Sequence, residues 1–179
     1  MSYVRSAAKI FTPLSDDVIR GLSAGDRVLI SGVVYTARDA AHKRMSEIMG
    51  RGGEMPFDFS GQIAYYAGPS PTRPGAAIGS IGPTTSGRMD AYSPALIGMG
   101  LKAMIGKGLR SEEVRRAITA HCGVYMAAVG GAGALISRSV RSARVIAFPE
   151  LGTEAIRLLE VEDFPAIVAI DSSGNDIYR

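Results

Sequence analysis

Hydrophobic positions alternate between short β-type runs and helix-type patterns along most of the chain. A β-rich run covers residues 28–35, and a pattern with one apolar face follows over residues 37–49, with Gly50 just past its end. Further strands are predicted at 62–67, 101–105, 123–129, 144–148, 155–161 and 166–170. Further helices are predicted to begin at 15–17, 93–94, 111–113 and 134, with a hairpin turn at 172–175. This pattern predicts an α/β fold, with a mixed sheet flanked by helices and an antiparallel edge.

The segment after the first long strand, residues 36–42, has an unusual charge pattern. Thr36 and Asp39 are spaced like a capping box, which predicts a helix from about Ala37 with Arg38 in its first turn. The helix dipole disfavours a cation there, which points to a functional reason for Arg38 beside the ordinary alternative of a solvated side chain. His42 lies one turn further on the same face, consistent with a binding or proton-transfer role.

Composition and charge exclude several classes of protein. The chain has 179 residues, which fits a single domain over 1–179. Its net charge of +3, from 20 basic and 17 acidic side chains, is too small to indicate nucleic-acid binding. No apolar run could span a membrane and no signal peptide is evident, so we expect a cytoplasmic protein. Cys122 is the only cysteine, so the chain cannot alone bind an iron–sulfur cluster, which needs three or four.

The stretch over residues 82–90 concentrates groups that could bind a small anion. It contains the hydroxyls of Thr84 and Thr85, the guanidinium of Arg88, a further serine and aspartate, two glycines and a proline. Glycine and proline disfavour a helix interior or a central strand, so the stretch predicts a shaped loop that presents N–H groups, hydroxyls and one cation. An ordinary turn rich in small residues is the alternative.

Four candidate segments follow directly after predicted strands: 36–42, 84–90, Lys107 and 130–133. Ligands of open α/β sheets bind at such strand ends. Three of the four carry a cation, and three converging cations would suit a dicarboxylate or a phosphorylated ligand, although each alone is typical of a surface charge. The glycines of 130–133 match only part of a dinucleotide fingerprint, because Ile136 occupies the third glycine position. Tight packing of the chain there is the alternative to nucleotide binding.

Several of these motifs, in order, resemble the β part of class I fumarases and tartrate dehydratases. The resemblance covers nearly all of residues 12–178. It is carried by residues 36–42, 66–69, 82–90, 106–108, 130–131, 148–152, 161–165 and 174–176.

The resemblance implies a swivelling β/β/α domain and an iron–sulfur hydro-lyase that interconverts (S)-malate and fumarate. In such enzymes a larger α part holds a 4Fe-4S cluster on three cysteines, where the iron acts as a Lewis acid on the substrate. Because this chain has one cysteine, the resemblance implies a separate β subunit that contributes no metal ligand and is active only with its α subunit. An α2β2 complex, or a homodimer of β when isolated, is the implied assembly.

The resemblance also implies roles for individual residues. Thr84 is the expected base on carbon, assisted by Asp39 or His42, and Arg88 is expected to act in both catalysis and binding. The remaining expected substrate-binding residues are Arg38, Thr85 and Lys107. Tartrate or another four-carbon dicarboxylate is an alternative substrate. A non-catalytic anion-binding domain of the same fold and a nucleotide-binding domain are alternatives of other classes.

Overall fold

The structure, a computed structural model, describes residues 6–128 and 131–179. Within these residues it contains seven strands, five α-helices and three 3₁₀ segments. The strands are β1 (Ala8–Phe11), β2 (Arg27–Thr36), β3 (Ile63–Tyr65), β4 (Ala103–Gly106), β5 (Val124–Ala127), β6 (Val140–Ala147) and β7 (Ile156–Ile170). The α-helices are α1 (Asp16–Arg20), α2 (Asp39–Gly50), α3 (Ser93–Gly98), α4 (Glu112–Ala120) and α5 (Gly133–Ile136). The 3₁₀ segments are Ser86–Met89, Ser137–Ser139 and Pro149–Glu154.

The strands form one mixed sheet in the order β1-β2-β3-β4-β5-β7-β6. Neighbours from β1 to β5 are parallel, whereas β7 is antiparallel to β5, to β6 and also to β2. The predicted mixed sheet with flanking helices and an antiparallel edge is therefore confirmed. Because β7 pairs with both β2 and β5, strands β2, β3, β4, β5 and β7 close into a ring, which the sequence pattern did not predict.

Alternate residues of the ring strands enter two hydrophobic cores. On β3, Ile63 and Tyr65 belong to a core that includes residues of all five ring strands, and we assign this core to the ring interior. Ala64, between them, belongs to a second core with buried residues of α2, α3 and α4. The side-chain alternation of the strands thus separates a ring interior from an outer layer covered by helices.

The predicted capping box at Thr36 is wrong. Thr36 is the last residue of β2, and its hydroxyl accepts a hydrogen bond from the backbone N–H of Arg157 on β7, at 3.1 Å. The N-cap of α2 is Arg38, whose side chain makes no capping bond, and the helix begins at Asp39. Arg38 therefore precedes the first turn instead of lying in it. Pairing with the neighbouring strand, rather than the local spacing, determines what the Thr36 hydroxyl binds.

Three further local predictions need correction. The two strands predicted at 155–161 and 166–170 are one continuous strand, β7, in which Pro165 is paired opposite Leu29. The helix predicted over 134–140 is α5 followed by a 3₁₀ segment, and β6 begins already at Val140. Ser93, predicted as an N-cap, is the first residue of α3, and its hydroxyl donates to the carbonyl of Met89.

Other helix starts and the final turn agree with the sequence pattern. Ser15 and Ser111 are the N-caps of α1 and α4, and each hydroxyl accepts a backbone hydrogen bond three residues on. The turn at 172–175 is present, and the N–H of Gly174 donates a hydrogen bond to the carbonyl of Asp171. A single antiparallel bridge between Ile170 and Asp176 follows it. Across the described residues, every helix is too short or too polar to cross a bilayer.

Candidate functional site

The parallel strands β2, β3 and β4 end at one edge of the sheet, and the predicted site segments follow those ends. Arg38 lies two residues after β2, and Lys107 directly follows β4. The backbone N–H of Thr84 donates to the carbonyl of Tyr66, the residue after β3, at 2.7 Å. The edge therefore gathers residues from three segments that are far apart in sequence.

Backbone hydrogen bonds hold the 82–90 loop against the end of β4. The N–H of Ser86 donates to the carbonyl of Lys107 at 2.9 Å, and the N–H of Lys107 donates to the carbonyl of Thr84 at 3.3 Å. Thr84 is half-buried, while Thr85 and Lys107 are exposed. The loop then makes one 3₁₀ turn, which carries the exposed side chain of Arg88. Two hydroxyls and two cations thus line adjacent backbone segments.

One ion pair joins the first turn of α2 to this loop: Nη1 of Arg88 lies 3.6 Å from Oδ2 of Asp39. Nε of Arg38, the N-cap of α2, lies 3.5 Å from Oε1 of Glu154, in the segment Pro149–Glu154. A backbone bridge between Thr85 and Lys107 holds the third predicted cation next to the loop. Glu154 was not identified from the sequence, because it becomes a neighbour of Arg38 only in the folded chain.

His42 is fully buried behind this edge. Its Nδ1 lies 2.9 Å from the carbonyl oxygen of Arg38, and because a carbonyl only accepts, Nδ1 carries the proton and donates. Burial, and to a smaller extent the charge of Arg110, lower the pKa of His42 to about 4, although the bond to Arg38 and the charge of Asp39 act in the opposite direction. His42 is therefore a neutral side chain that holds the N-cap of α2.

Three buried polar atoms at the start of α2 have no hydrogen-bond partner among the described residues. They are Nε of Arg38, Oδ1 of Asp39 and Nε2 of His42. Buried polar groups without partners are uncommon and costly, and they cluster at sites that a ligand or water completes. Their concentration in one turn makes this edge the candidate site.

A buried ionic network that the sequence analysis missed lies beneath the loop. Nε of Arg110 donates to Oδ1 of Asp90 at 2.7 Å, and its Nη2 donates to the hydroxyl of Ser93 at 2.8 Å. The Arg110 side chain is completely buried, with its guanidinium 5.3 Å and 4.9 Å from the ring centres of Tyr66 and Tyr125. This network fixes the end of the 3₁₀ turn that carries Arg88. Asp90 and Arg110 are 20 residues apart, so no local spacing predicts their pairing.

Tyr125 forms hydrogen bonds with Ser86 of the loop and with the segment that follows β4. Burial raises the pKa of Tyr125, so its hydroxyl stays protonated and donates to the carbonyl of Gly108 at 2.9 Å, next to Lys107. The hydroxyl of Ser86 lies 2.9 Å from the hydroxyl oxygen of Tyr125. A Cβ on Gly106 would come within 2.0 Å of the Ser86 hydroxyl oxygen, so this close approach requires glycine.

The chain's own residues do not fit an iron–sulfur cluster. Cys122 is half-buried and precedes β5, so it lies at the opposite edge of the sheet, with its sulfur 3.8 Å from the carbonyl oxygen of Asp16. Among the described residues, no three His, Cys, Asp or Glu side chains gather closely enough to bind a metal ion. The described residues therefore offer no ligand set for such a cluster.

A mainly apolar hollow lies elsewhere on the molecule. It has a volume of about 300 Å³ and is lined by residues of β2, β7 and α5, whereas the predicted cations occupy an open edge. Of the glycine segment 130–133, Gly130 lies outside the described residues. Gly133 packs against the loop, because a Cβ there would come within 2.8 Å of the backbone nitrogen of Gly82. This contact favours the packing interpretation of that segment over nucleotide binding.

Comparison with known proteins relates the chain to one family. The sequence model of the family described as Fumarase C-terminus matches residues 6–179. Fumarate hydratase 2 of Leishmania major is 42% identical over 156 residues, which cover 86% of this chain and 28% of that protein. The aerobic class I fumarate hydratase of Escherichia coli is 41% identical over 155 residues, with the same two coverages. The chain thus spans little more than a quarter of these fumarate hydratases.

One relative has nearly the same extent as this chain. A putative L(+)-tartrate dehydratase subunit beta of Methanocaldococcus jannaschii is 39% identical over 175 residues, which cover 94% of this chain and 90% of that protein. The match over 6–179 and this relative agree with the resemblance seen in the motifs. The chain belongs to the Fumarase C-terminus family.

Proposed function

We propose that this chain is the β subunit of a two-subunit iron–sulfur hydro-lyase that reversibly dehydrates (S)-malate to fumarate. The observation that carries the proposal is that Arg38 and Lys107 follow the ends of neighbouring parallel strands, while the loop with Thr84, Thr85 and Arg88 is hydrogen-bonded beside them. Membership of the Fumarase C-terminus family supports it independently.

The proposed chemistry follows from charge that develops on the substrate. Removal of a proton from the carbon next to a carboxylate builds negative charge on that carboxylate. Arg38, Arg88 and Lys107 bind the carboxylates and stabilise this charge more in the transition state than in the ground state. Thr85 contributes a hydroxyl to the same group.

Thr84 is the proposed base on carbon, held by its backbone bond to Tyr66. A threonine hydroxyl is a weak base, so its proton must be lost or relayed, and the Asp39 carboxylate is the proposed assistant. We propose a positioning role for His42, because this neutral, buried imidazole contacts the backbone of Arg38 instead of the open edge.

The cluster is proposed to come from an α subunit that closes the open edge. A bound cluster would supply Lewis acidity toward the substrate hydroxyl, which no described group of this chain can provide. We further propose that residues 1–179 form one domain that swivels over the partner. The exposure of Thr85, Arg88 and Lys107 supports a site that a second polypeptide completes.

Tartrate is a second candidate substrate. The relative of matching length is described as a putative tartrate dehydratase subunit beta, whereas the fumarate hydratases match only through part of their length. Both substrates are four-carbon dicarboxylates with a hydroxyl next to a carboxylate. The cations of this chain suit either of them, so the choice depends on residues of the partner.

The test is anaerobic co-expression of this chain with the α subunit, followed by assays with malate and tartrate. We expect turnover from the complex and none from this chain alone. Arg88→Ala and Lys107→Ala should each lower kcat about 100-fold or more. The control is Arg116→Ala, whose exposed side chain pairs within α4. Turnover by the pure chain would refute the two-subunit proposal, while dicarboxylate binding without turnover in the complex would favour a non-catalytic domain.

A further inference from the structure

The two arginines of the proposed site form ion pairs without a close hydrogen bond. Arg38 and Arg88 lie 3.5 and 3.6 Å from their carboxylate partners, beyond the 2.7–2.9 Å typical of charge-assisted hydrogen bonds. Other pairs of the same chain reach that range, including Arg44 with Glu150 at 2.9 Å and Arg141 with Glu162 at 2.8 Å. Pairs as long as these also occur elsewhere, such as Arg116 with Glu112 at 3.6 Å, so length alone does not distinguish this edge.

Unsatisfied atoms accompany both pairs. Nε of Arg38 and Oδ1 of Asp39 are buried and make no hydrogen bond with any described residue. A buried charged group without a hydrogen bond is costly, so each pair gains if another group supplies the missing partner. Glu154 gives Arg38 an opposite charge but no hydrogen bond to Nε. A substrate carboxylate that binds Arg38 would supply the missing acceptor.

Packing limits the freedom of Arg38 to leave Glu154. A Cβ on Gly68 would come within 3.2 Å of Nη1 of Arg38 and within 2.7 Å of the carbonyl oxygen of Thr153, the residue before Glu154. Arg38 therefore occupies a slot between Gly68 and the segment Pro149–Glu154. A ligand that reaches Arg38 must do so in the presence of the Glu154 charge.

We propose that Glu154 is an internal counter-ion of Arg38 that competes with the substrate carboxylate and so determines which anions bind, an inference that rests on the proposed function. Glu154 and Asp39 offset two of the three cations at the edge. A singly charged anion is then attracted only weakly. A dicarboxylate that contacts two cations at once replaces both internal partners together, so Glu154 raises selectivity for doubly charged acids.

The first test compares two glutamates of one 3₁₀ segment in the complex with the α subunit. Glu154→Gln should lower KM for malate about three- to tenfold at about 0.01 M salt, and the difference should fade near 1 M salt. It should also lower the inhibition constant of acetate, a singly charged probe, by a larger factor. Glu150→Gln removes the same charge beside Arg44 and should change neither value. Equal KM and acetate inhibition in the two variants would overturn the inference.

The second test requires neither substrate nor partner. The rate at which phenylglyoxal modifies Arg38 is measured by peptide mass spectrometry in this chain, with Arg44 as the internal reference. Glu154→Gln should raise the Arg38 rate relative to Arg44, because a guanidinium without its counter-ion is more reactive. An unchanged ratio would overturn the inference. Failure of the complex to dehydrate malate would instead reject the proposed function, and this ratio would still decide whether Glu154 masks Arg38.

Discussion

Replacing Arg110 by methionine should destabilise the protein more than removing the charge of an exposed arginine would. Methionine keeps most of the volume but removes the donors that bind Asp90 and Ser93. The Asp90 carboxylate, whose side chain is only 14% exposed, would then lose its cation inside the protein. One bond to Asp90 would remain, from the backbone N–H of Ser111 at 2.6 Å.

The expected loss in the free energy of unfolding is about 3–5 kcal/mol, because removal of one partner leaves an uncompensated buried charge. For a chain of this size, that corresponds to a fall in Tm of about 6–20 °C. The double change of Arg110→Met with Asp90→Asn should recover part of the loss, since no unpaired charge then remains.

Urea denaturation followed by circular dichroism measures these losses. Arg141→Met is the matched control, because Arg141 pairs with Glu162 at 2.8 Å but both side chains are about 60% exposed. Its expected cost is below about 1 kcal/mol. Similar losses for Arg110→Met and Arg141→Met would refute the claim that burial, rather than pairing distance, gives Arg110 its importance.

Two further predictions concern His42 and Gly106. The pKa of His42 is about 4 in the folded chain, whereas an exposed histidine of the unfolded chain has a pKa of about 6.5. The unfolded state therefore binds more protons between these values, and the free energy of unfolding should fall by up to about 3 kcal/mol as pH drops from 6.5 to 4. His42→Asn should remove that part of the slope in urea titrations, and an equal slope would contradict it. Gly106→Ala should cost about 1–3 kcal/mol and displace Ser86, whereas Gly50→Ala, which meets no atom within 4 Å, should be nearly neutral.

The sequence was most informative where function depends on strand ends. Arg38 and Lys107 could be placed at one edge because parallel neighbouring strands end on the same side, and hydrophobic runs reveal those strands. The helix starts at Ser15 and Ser111 were predictable for a similar reason, since an N-cap is a local signal.

Contacts between distant segments could not be predicted in this way. The Thr36 hydroxyl binds the backbone N–H of Arg157 instead of capping the helix as predicted. Glu154 lies far from Arg38 in sequence and becomes its neighbour only in the folded chain. The pairing of Asp90 with Arg110 likewise has no periodic signal. Each of these depends on which strands become neighbours, and a single sequence does not give the order of strands in the sheet.

Closure of the ring by β7 has a consequence for synthesis of the protein. β2 is made early, yet one of its long edges and one edge of β5 stay unpaired until residues 156–170 have been translated. Open strand edges beside an uncovered apolar face promote aggregation. A chain that is truncated just before residue 156 should therefore depend on chaperones, even though it already contains every residue of the proposed site.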